Sequence, residues 1–163
     1  MSRAFTKEDD AGEDLPERPI PPGPNYVTPR GLELLKSAAE KLVAQRKEAV
    51  ASGGDLKPVD RDLRYLEARI NSAIVVPQGK GEEVRFGAQV TIEDEAGQRK
   101  TFRIVGEDEA RADPNCLAWS APLVQSMLGT KTGQGISWQG PEAVVTCNIV
   151  SVEYPKDTGQ EKI

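Results

Sequence analysis

Two heptad stripes separated by a glycine turn constrain this chain more than any other feature. Leu32, Leu35, Ala39 and Leu42 recur at spacings of 3, 4 and 3, and Val59, Leu63, Leu66, Ile70 and Ala73 at 4, 3, 4 and 3. Alternating steps of three and four put apolar side chains along one edge of a helix, the seam of a coiled coil. Between the stripes runs Ser52-Gly53-Gly54-Asp55-Leu56-Lys57-Pro58. A turn that short between two such helices makes an antiparallel hairpin. So narrow a hairpin encloses no substrate; it suits contact with another macromolecule.

The ends of the two helices are marked. Thr28 supplies a hydroxyl N-cap and Pro29 the first helical position, where a missing N–H costs nothing. From there to Ser52 the chain is rich in Ala, Leu, Glu and Lys, good helix formers. The second helix is expected to begin near Val59, with Asp60 and Asp62 in its first turn, favourable to the helix dipole. Ile74-Val75-Val76-Pro77 stops it. Lys36, Lys41, Arg46, Lys47, Arg61, Arg64 and Arg69 alternate with Glu33, Glu40, Glu48 and Glu67, as on a solvated ion-paired face; the alternative is a path for RNA.

From Val84 the period changes to two. Val84-Arg85-Phe86 and Ala88-Gln89-Val90-Thr91-Ile92 alternate, Asp94 to Gly97 turns the chain, and Thr101 to Ile104 returns as a hairpin partner. Arg111 to Asn115 reads as a loop, Cys116 to Trp119 as a short strand, and Pro122 to Leu128 as one short helix closed by Gly129. Ile136 to Trp138 and Ala143 to Tyr154 make a closing hairpin. The fold class is therefore α+β, a coiled-coil hairpin followed by an antiparallel β domain with one short helix. Its expected core is Val90, Ile92, Phe102, Ile104, Leu123, Leu128, Trp138, Ile149 and Val152, with Trp119 in or beside it.

Ahead of the hairpin, residues 1–18 hold six acids against Arg3, Lys7 and Arg18, and five prolines fall within residues 16–24. Such a segment buries too little apolar surface to offset chain entropy. The expected division is a disordered acidic, proline-rich tail over 1–27, a hairpin over 28–76, a β domain over 77–155 and a short tail over 156–163. The tail is expected to be dispensable for folding.

The chain contains no histidine, so no imidazole general base and no Ser-His-Asp or Cys-His arrangement exists. Cys116 and Cys147 are too few for a conventional zinc site and are read as buried thiols, with a bridge between them left open. A net charge of −5 gives no nucleic-acid footprint for the chain as a whole. Neither an apolar run of membrane length nor a secretory h-region is present, so the expected location is the cytoplasm.

Four strings, Arg85 to Glu93, Thr101 to Gly106, Ser120-Ala121-Pro122-Leu123 to Leu128, and Ile149 to Tyr154, resemble the C-terminal domain of the bacterial GreA/GreB transcript-cleavage factors. Thr28 to Leu35 is similar to the opening of their coiled coil, and Gly54-Asp55-Leu56 to part of its acidic tip. The resemblance implies an FKBP-like C-terminal domain that docks at the rim of the RNA polymerase secondary channel. It also implies a coiled coil that offers tip carboxylates to the polymerase's catalytic Mg2+. The chain would then be no enzyme, would have no cofactor of its own, and would meet nucleic acid only through the polymerase, probing it as a monomer. Ser120, Ala121, Pro122 and Leu123 are the docking candidates the resemblance implies; Asp55, Asp60 and Asp62 are the candidate tip acids.

The tip departs from the family pattern, in which Asp-Leu is followed by Ser-Glu-Asn. Here Asp55-Leu56 is followed by Lys57-Pro58-Val59, and proline stands where the second carboxylate would be. The second helix, read as about 15 residues or ~22 Å, is also short for the family by something like ten residues. The expectation is a regulator of elongation with little or no stimulation of cleavage. The alternatives are a cleavage-stimulating factor working through the tip acids, an FKBP-like prolyl isomerase, or a coiled-coil scaffold.

Overall fold

The structure, a computed structural model, describes residues 15–156. Its contacts divide into two units: residues 15–23 with Leu35–Ser72, the hairpin unit, and Pro24–Leu34 with residues 73–156, the sheet unit. In chain order the elements are β1 (Asn25–Val27), α1 (Pro29–Ser52), α2 (Lys57–Ser72) and β2 (Ala73–Val75). They continue with β3 (Gln89–Asp94), β4 (Arg99–Val105), α3 (Glu107–Ala112), β5 (Cys116–Ala118), α4 (Pro122–Met127), β6 (Gly135–Gln139) and β7 (Val144–Glu153). Helix α1 starts in the sheet unit and runs on into the hairpin unit.

In the hairpin unit α1 ends in a Schellman turn. Gly53, at φ +76°, donates its N–H to the Val50 carbonyl at 3.3 Å, and Gly54 donates to Ala49 at 2.8 Å. Glycine is needed at position 53 because a Cβ disfavours that left-handed backbone. Helix α2 begins at Lys57, two residues earlier than its apolar stripe indicates. Its first ladder bond runs from the Asp60 N–H to the Leu56 carbonyl at 2.9 Å, and Pro58 sits in the opening turn, where no N–H is missed. The heptad seam holds from Leu35 to Ile70, with Leu35 and Leu66 buried and Ala39, Leu42, Val59, Leu63 and Ile70 half-buried, but Ala73, the last position of the second stripe, lies on β2 and not on the helix. Arg46 Nε reaches Asp60 Oδ1 at 2.6 Å and ties α1 to α2. Arg69 is 2% exposed, so it does not belong to the solvated face assigned to it from sequence.

Part of the expected tail is ordered. Glu17 Oε2 pairs with Arg64 Nη2 at 2.7 Å, and the Arg18 guanidinium lies 3.9 Å from the centroid of the Tyr65 ring, so residues 15–23 run against α2. Residues 25–27 form a strand, parallel to Ala73–Val75 in a two-stranded sheet. The Tyr26 ring meets Trp119 edge-on at 5.2 Å and Phe86 at 6.1 Å, and Val27 is buried. The partners of β1 lie far along the chain, and three residues carry no period of their own, so composition misassigns them. Residues 1–14 and 157–163 of the two expected tails lie outside the described residues.

The main sheet has the order β5-β4-β3-β7-β6. All pairs are antiparallel except β4 and β5, which run parallel, and the sheet is mixed. The cause is α3, whose first four residues have no element assigned from sequence and whose last two, Arg111 and Ala112, read as loop: it carries the chain back so that β5 enters beside β4 in the same direction. The domain thus has two short helices where one was expected. Pairing of β3 with β7 slips between Thr91 and Ile92, a β-bulge.

Val84, Ala88, Val90, Ile104, Val124 and Met127 have no exposed surface and centre the core, with Ile92, Phe102, Ile136, Cys147 and Ile149 around them. Fully burying a side chain of the Val, Ile or Met type is worth about 1.5–3 kcal/mol. Leu123, Trp138 and Val152 pack against this core while half-buried. Leu128 does not join it and is 36% exposed. Helix α4 turns Val124 and Met127 inward, three apart on one face, and ends before Leu128. Both cysteines are buried and free; Cys116 on β5 and Cys147 on β7 are separated in the sheet by β4 and β3.

Candidate functional site

Three groups of residues were singled out from sequence or emerge from the geometry: the hairpin tip, the turn into α4, and the start of α1. At the tip, Asp55 is exposed and its Oδ1 accepts the Lys57 N–H at 3.0 Å, a local turn bond. Asp60 is held by Arg46 at 2.6 Å. Asp62 Oδ1 receives Arg61 Nη2 at 3.1 Å and Arg18 Nη1 at 3.4 Å. Because α2 begins at Lys57, Asp60 lies in its first turn as read from sequence but Asp62 lies beyond it, and each has a guanidinium partner. Among the described residues no three His, Cys, Asp or Glu side chains are grouped so as to hold a metal ion. Magnesium needs several hard oxygen ligands at 2.0–2.1 Å, and the tip by itself does not fit one.

The turn into α4 has a different character. Ser120 is exposed, and its hydroxyl donates to Glu107 Oε2 at 3.1 Å. Ala121 is the N-cap residue, Pro122 opens the helix, and the Gln125 side chain donates to the Trp119 carbonyl at 2.8 Å. Pro122 faces solvent while Ala121 and Leu123 pack on the core. Beside them a cleft of about 240 Å³ is lined by Ile92, Leu123, Trp138 and Val145, with Arg99 and Lys100 among its basic residues. Within the string Ser120 to Leu123, Ser120 and Pro122 present the surface, and Ala121 and Leu123 position it.

Sequence reading missed a buried polar cluster at the start of α1, all within the sheet unit. The Thr28 hydroxyl donates to Glu109 Oε1 at 2.6 Å, and Arg30 Nη1 donates to Glu109 Oε2 at 3.0 Å. Arg30 Nη2 reaches Asp113 Oδ2 at 3.3 Å. Thr28 Oγ1 also accepts the Gly31 N–H at 2.9 Å, which is the N-cap bond anticipated from sequence. Glu109 is 3% exposed. Burial opposes the Arg30 charge, but Glu109 and Asp113 outweigh it and raise its pKa. The Asn115 N–H, and then Arg30, hold the Asp113 carboxyl below its ordinary value. A Cβ on Gly31 would come within 2.8 Å of Glu109 Oε1. The cluster fixes the first turn of α1 against α3. No local pattern announces it, because Glu109 lies 81 residues from Thr28.

Residues 78–154 match the family model described as Transcription elongation factor, GreA/GreB, C-term. The chain is 32% identical over 155 residues to transcription elongation factor GreB of Neisseria meningitidis serogroup B, an alignment covering 81% of this chain and 95% of that protein. It is 30% identical over 139 residues to transcription elongation factor GreA of Desulfovibrio desulfuricans, covering 76% and 85%. Among solved structures, the GreA factor homolog Gfh1 of Thermus thermophilus aligns at 22% identity over 80% of this chain and 99% of that one, with a TM-score of 0.40. The relatives define the class, transcription elongation factors. The chain belongs to the GreA/GreB family, whose members are transcription factors and not themselves enzymes.

Proposed function

We propose that this chain binds RNA polymerase at its secondary channel through the sheet unit, with Ser120 and Pro122 in the contact. In this reading it regulates elongation with weak or no stimulation of transcript cleavage. The observation that carries the second part is the length of α2, 16 residues or about 24 Å at 1.5 Å per residue. A hairpin is no longer than its shorter arm. Three further observations support the reading. The alignment with the Neisseria GreB spans 155 columns but only 81% of this chain, about 132 residues, so about 23 positions of the relative have no counterpart here. Pro58 occupies the place of the second tip acid, and Asp60 and Asp62 are both engaged by arginines. A magnesium ligand misplaced by ångströms is no ligand. The polymerase's Mg2+ is therefore given no role for Asp55, Asp60 or Asp62, and the factor carries no metal of its own in this reading.

The test is co-purification with core polymerase, followed by cleavage of a stalled elongation complex with and without a longer-fingered GreB. Expected are binding, no added cleavage, and loss of GreB-stimulated cleavage as this protein is titrated in. Cleavage at a GreB-like rate that Asp55→Ala abolishes would overturn the reading, as would failure to bind.

A further inference from the structure

Helix α3 carries two acids that reach in opposite directions. Glu107 and Glu109 are two residues apart, about 200° around a helix of 3.6 residues per turn. Glu107 Oε2 accepts the hydroxyl of Ser120, an exposed residue of the turn into α4, at 3.1 Å. Glu109 accepts the Thr28 hydroxyl and Arg30 at the start of α1. A second contact runs alongside this one. The Trp119 ring, next to Ser120, lies on Tyr26, and Tyr26 stands two residues before Thr28. Gly106, the N-cap residue of α3, is buried so close to the Tyr26 carbonyl that a Cβ there would collide with it. The turn, α3 and the root of α1 thus form one contiguous cluster inside the sheet unit.

We propose that α3 is a strut through which a partner seated on the Ser120 turn tightens the first turn of α1, with Glu107 and Glu109 as its positioning residues. It rests on the reading that places Ser120 and Pro122 in the polymerase contact. In the free chain the bond at Ser120 is exposed and competes with water. A partner that covers the turn excludes that water, and a hydrogen bond to a charge strengthens where the local dielectric falls. Six residues make little more than one and a half turns, about 9 Å long, so α3 moves as one body. Fixing Glu107 therefore fixes Glu109, which is 3% exposed and whose bonds face no competing water. The coupling is reciprocal: if docking stabilises the seat of α1, a seated α1 favours docking by the same factor.

Amide hydrogen exchange on the full chain reads the seat of α1 directly. The Gly31 N–H donates to Thr28 Oγ1 at 2.9 Å, and the Leu32 N–H to the Thr28 carbonyl at 3.0 Å. In the free chain, Glu107→Ala is expected to speed exchange at both by about three- to tenfold, the scale of one partly exposed hydrogen bond to a charge. Glu107→Gln keeps an acceptor for Ser120 and should restore part of the protection. The Ile104 N–H, bonded to the Ala88 carbonyl at 2.9 Å in the sheet core, reports any general loss of stability. With core RNA polymerase added, residues 29–34 should exchange more slowly in the wild type and show little slowing in Glu107→Ala. An effect of Glu107→Ala at Gly31 and Leu32 no greater than at Ile104 would overturn the proposal. So would no recovery in Glu107→Gln, or polymerase binding that leaves residues 29–34 unchanged. Failure to bind polymerase would sink the proposed function instead, while the free-chain comparison decides the strut by itself.

Discussion

Replacing Glu109 tests whether the start of α1 is held by its buried polar cluster. The carboxylate accepts one hydroxyl at 2.6 Å and one guanidinium at 3.0 Å, and its side chain is 1% exposed. Hydrogen bonds to a charged group are worth about 1.5–3 kcal/mol each. Breaking a buried pair by removing one partner costs about 3–5 kcal/mol when the other charge is stranded. Here the stranding is partial. Arg30 keeps Asp113 at 3.3 Å and is 27% exposed, and Thr28 keeps the Gly31 N–H. The low end, about 3 kcal/mol, is therefore expected for Glu109→Ala. Glu109→Gln keeps an acceptor for the Thr28 hydroxyl and should lose about half as much. Urea unfolding followed by tryptophan fluorescence isolates the relevant unit, since Trp119 and Trp138 both lie in the sheet unit. With m near ~2 kcal/mol/M, the midpoint should fall by roughly 1.5 M in Glu109→Ala. A fall of less than about 0.5 M, or ~1 kcal/mol, would refute the account of the cluster as a clamp.

Two more expectations follow from the same region. Gly31→Ala should destabilise the sheet unit although alanine favours helix by about 1 kcal/mol, because its Cβ would meet Glu109 Oε1 at 2.8 Å; a rise in melting temperature would contradict this. Burial, and then Asp113 and Glu109, push the Cys116 thiol up to about 11, whereas an unfolded thiol ionises near 8.5. A raised pKa means the folded state holds its proton longer, so the contribution is complete below pH ~8.5 and is lost as pH rises toward ~11. Between pH 8 and 11 the wild type should therefore lose about 2–3 kcal/mol more stability than Cys116→Ala. Parallel pH profiles for the two proteins would refute the assignment.

The sequence by itself determined the parts whose signals are local. Heptad spacing placed the seam from Leu35 to Ile70, Thr28 and Pro29 marked the start of α1, and glycine at 53 marked its end, because helix periodicity and capping act within a few residues. Strand alternation likewise found β3, β4 and β7 and five of the buried core residues. Only the tertiary structure decided what depends on partners far along the chain. Residues 25–27 look like the end of a polar tail, yet β2 lies ready as a partner and Trp119 and Phe86 cover Tyr26. Glu17 and Arg18 look like solvated charges until α2 supplies Arg64 and Tyr65. Glu109 stands in a stretch given no element from sequence, and folding puts it on a short helix beside Thr28 and Arg30 as a buried anion. The physical reason is the same in each case. Composition prices a residue against water, whereas the fold supplies, at no further cost in chain entropy, the neighbour that replaces the water.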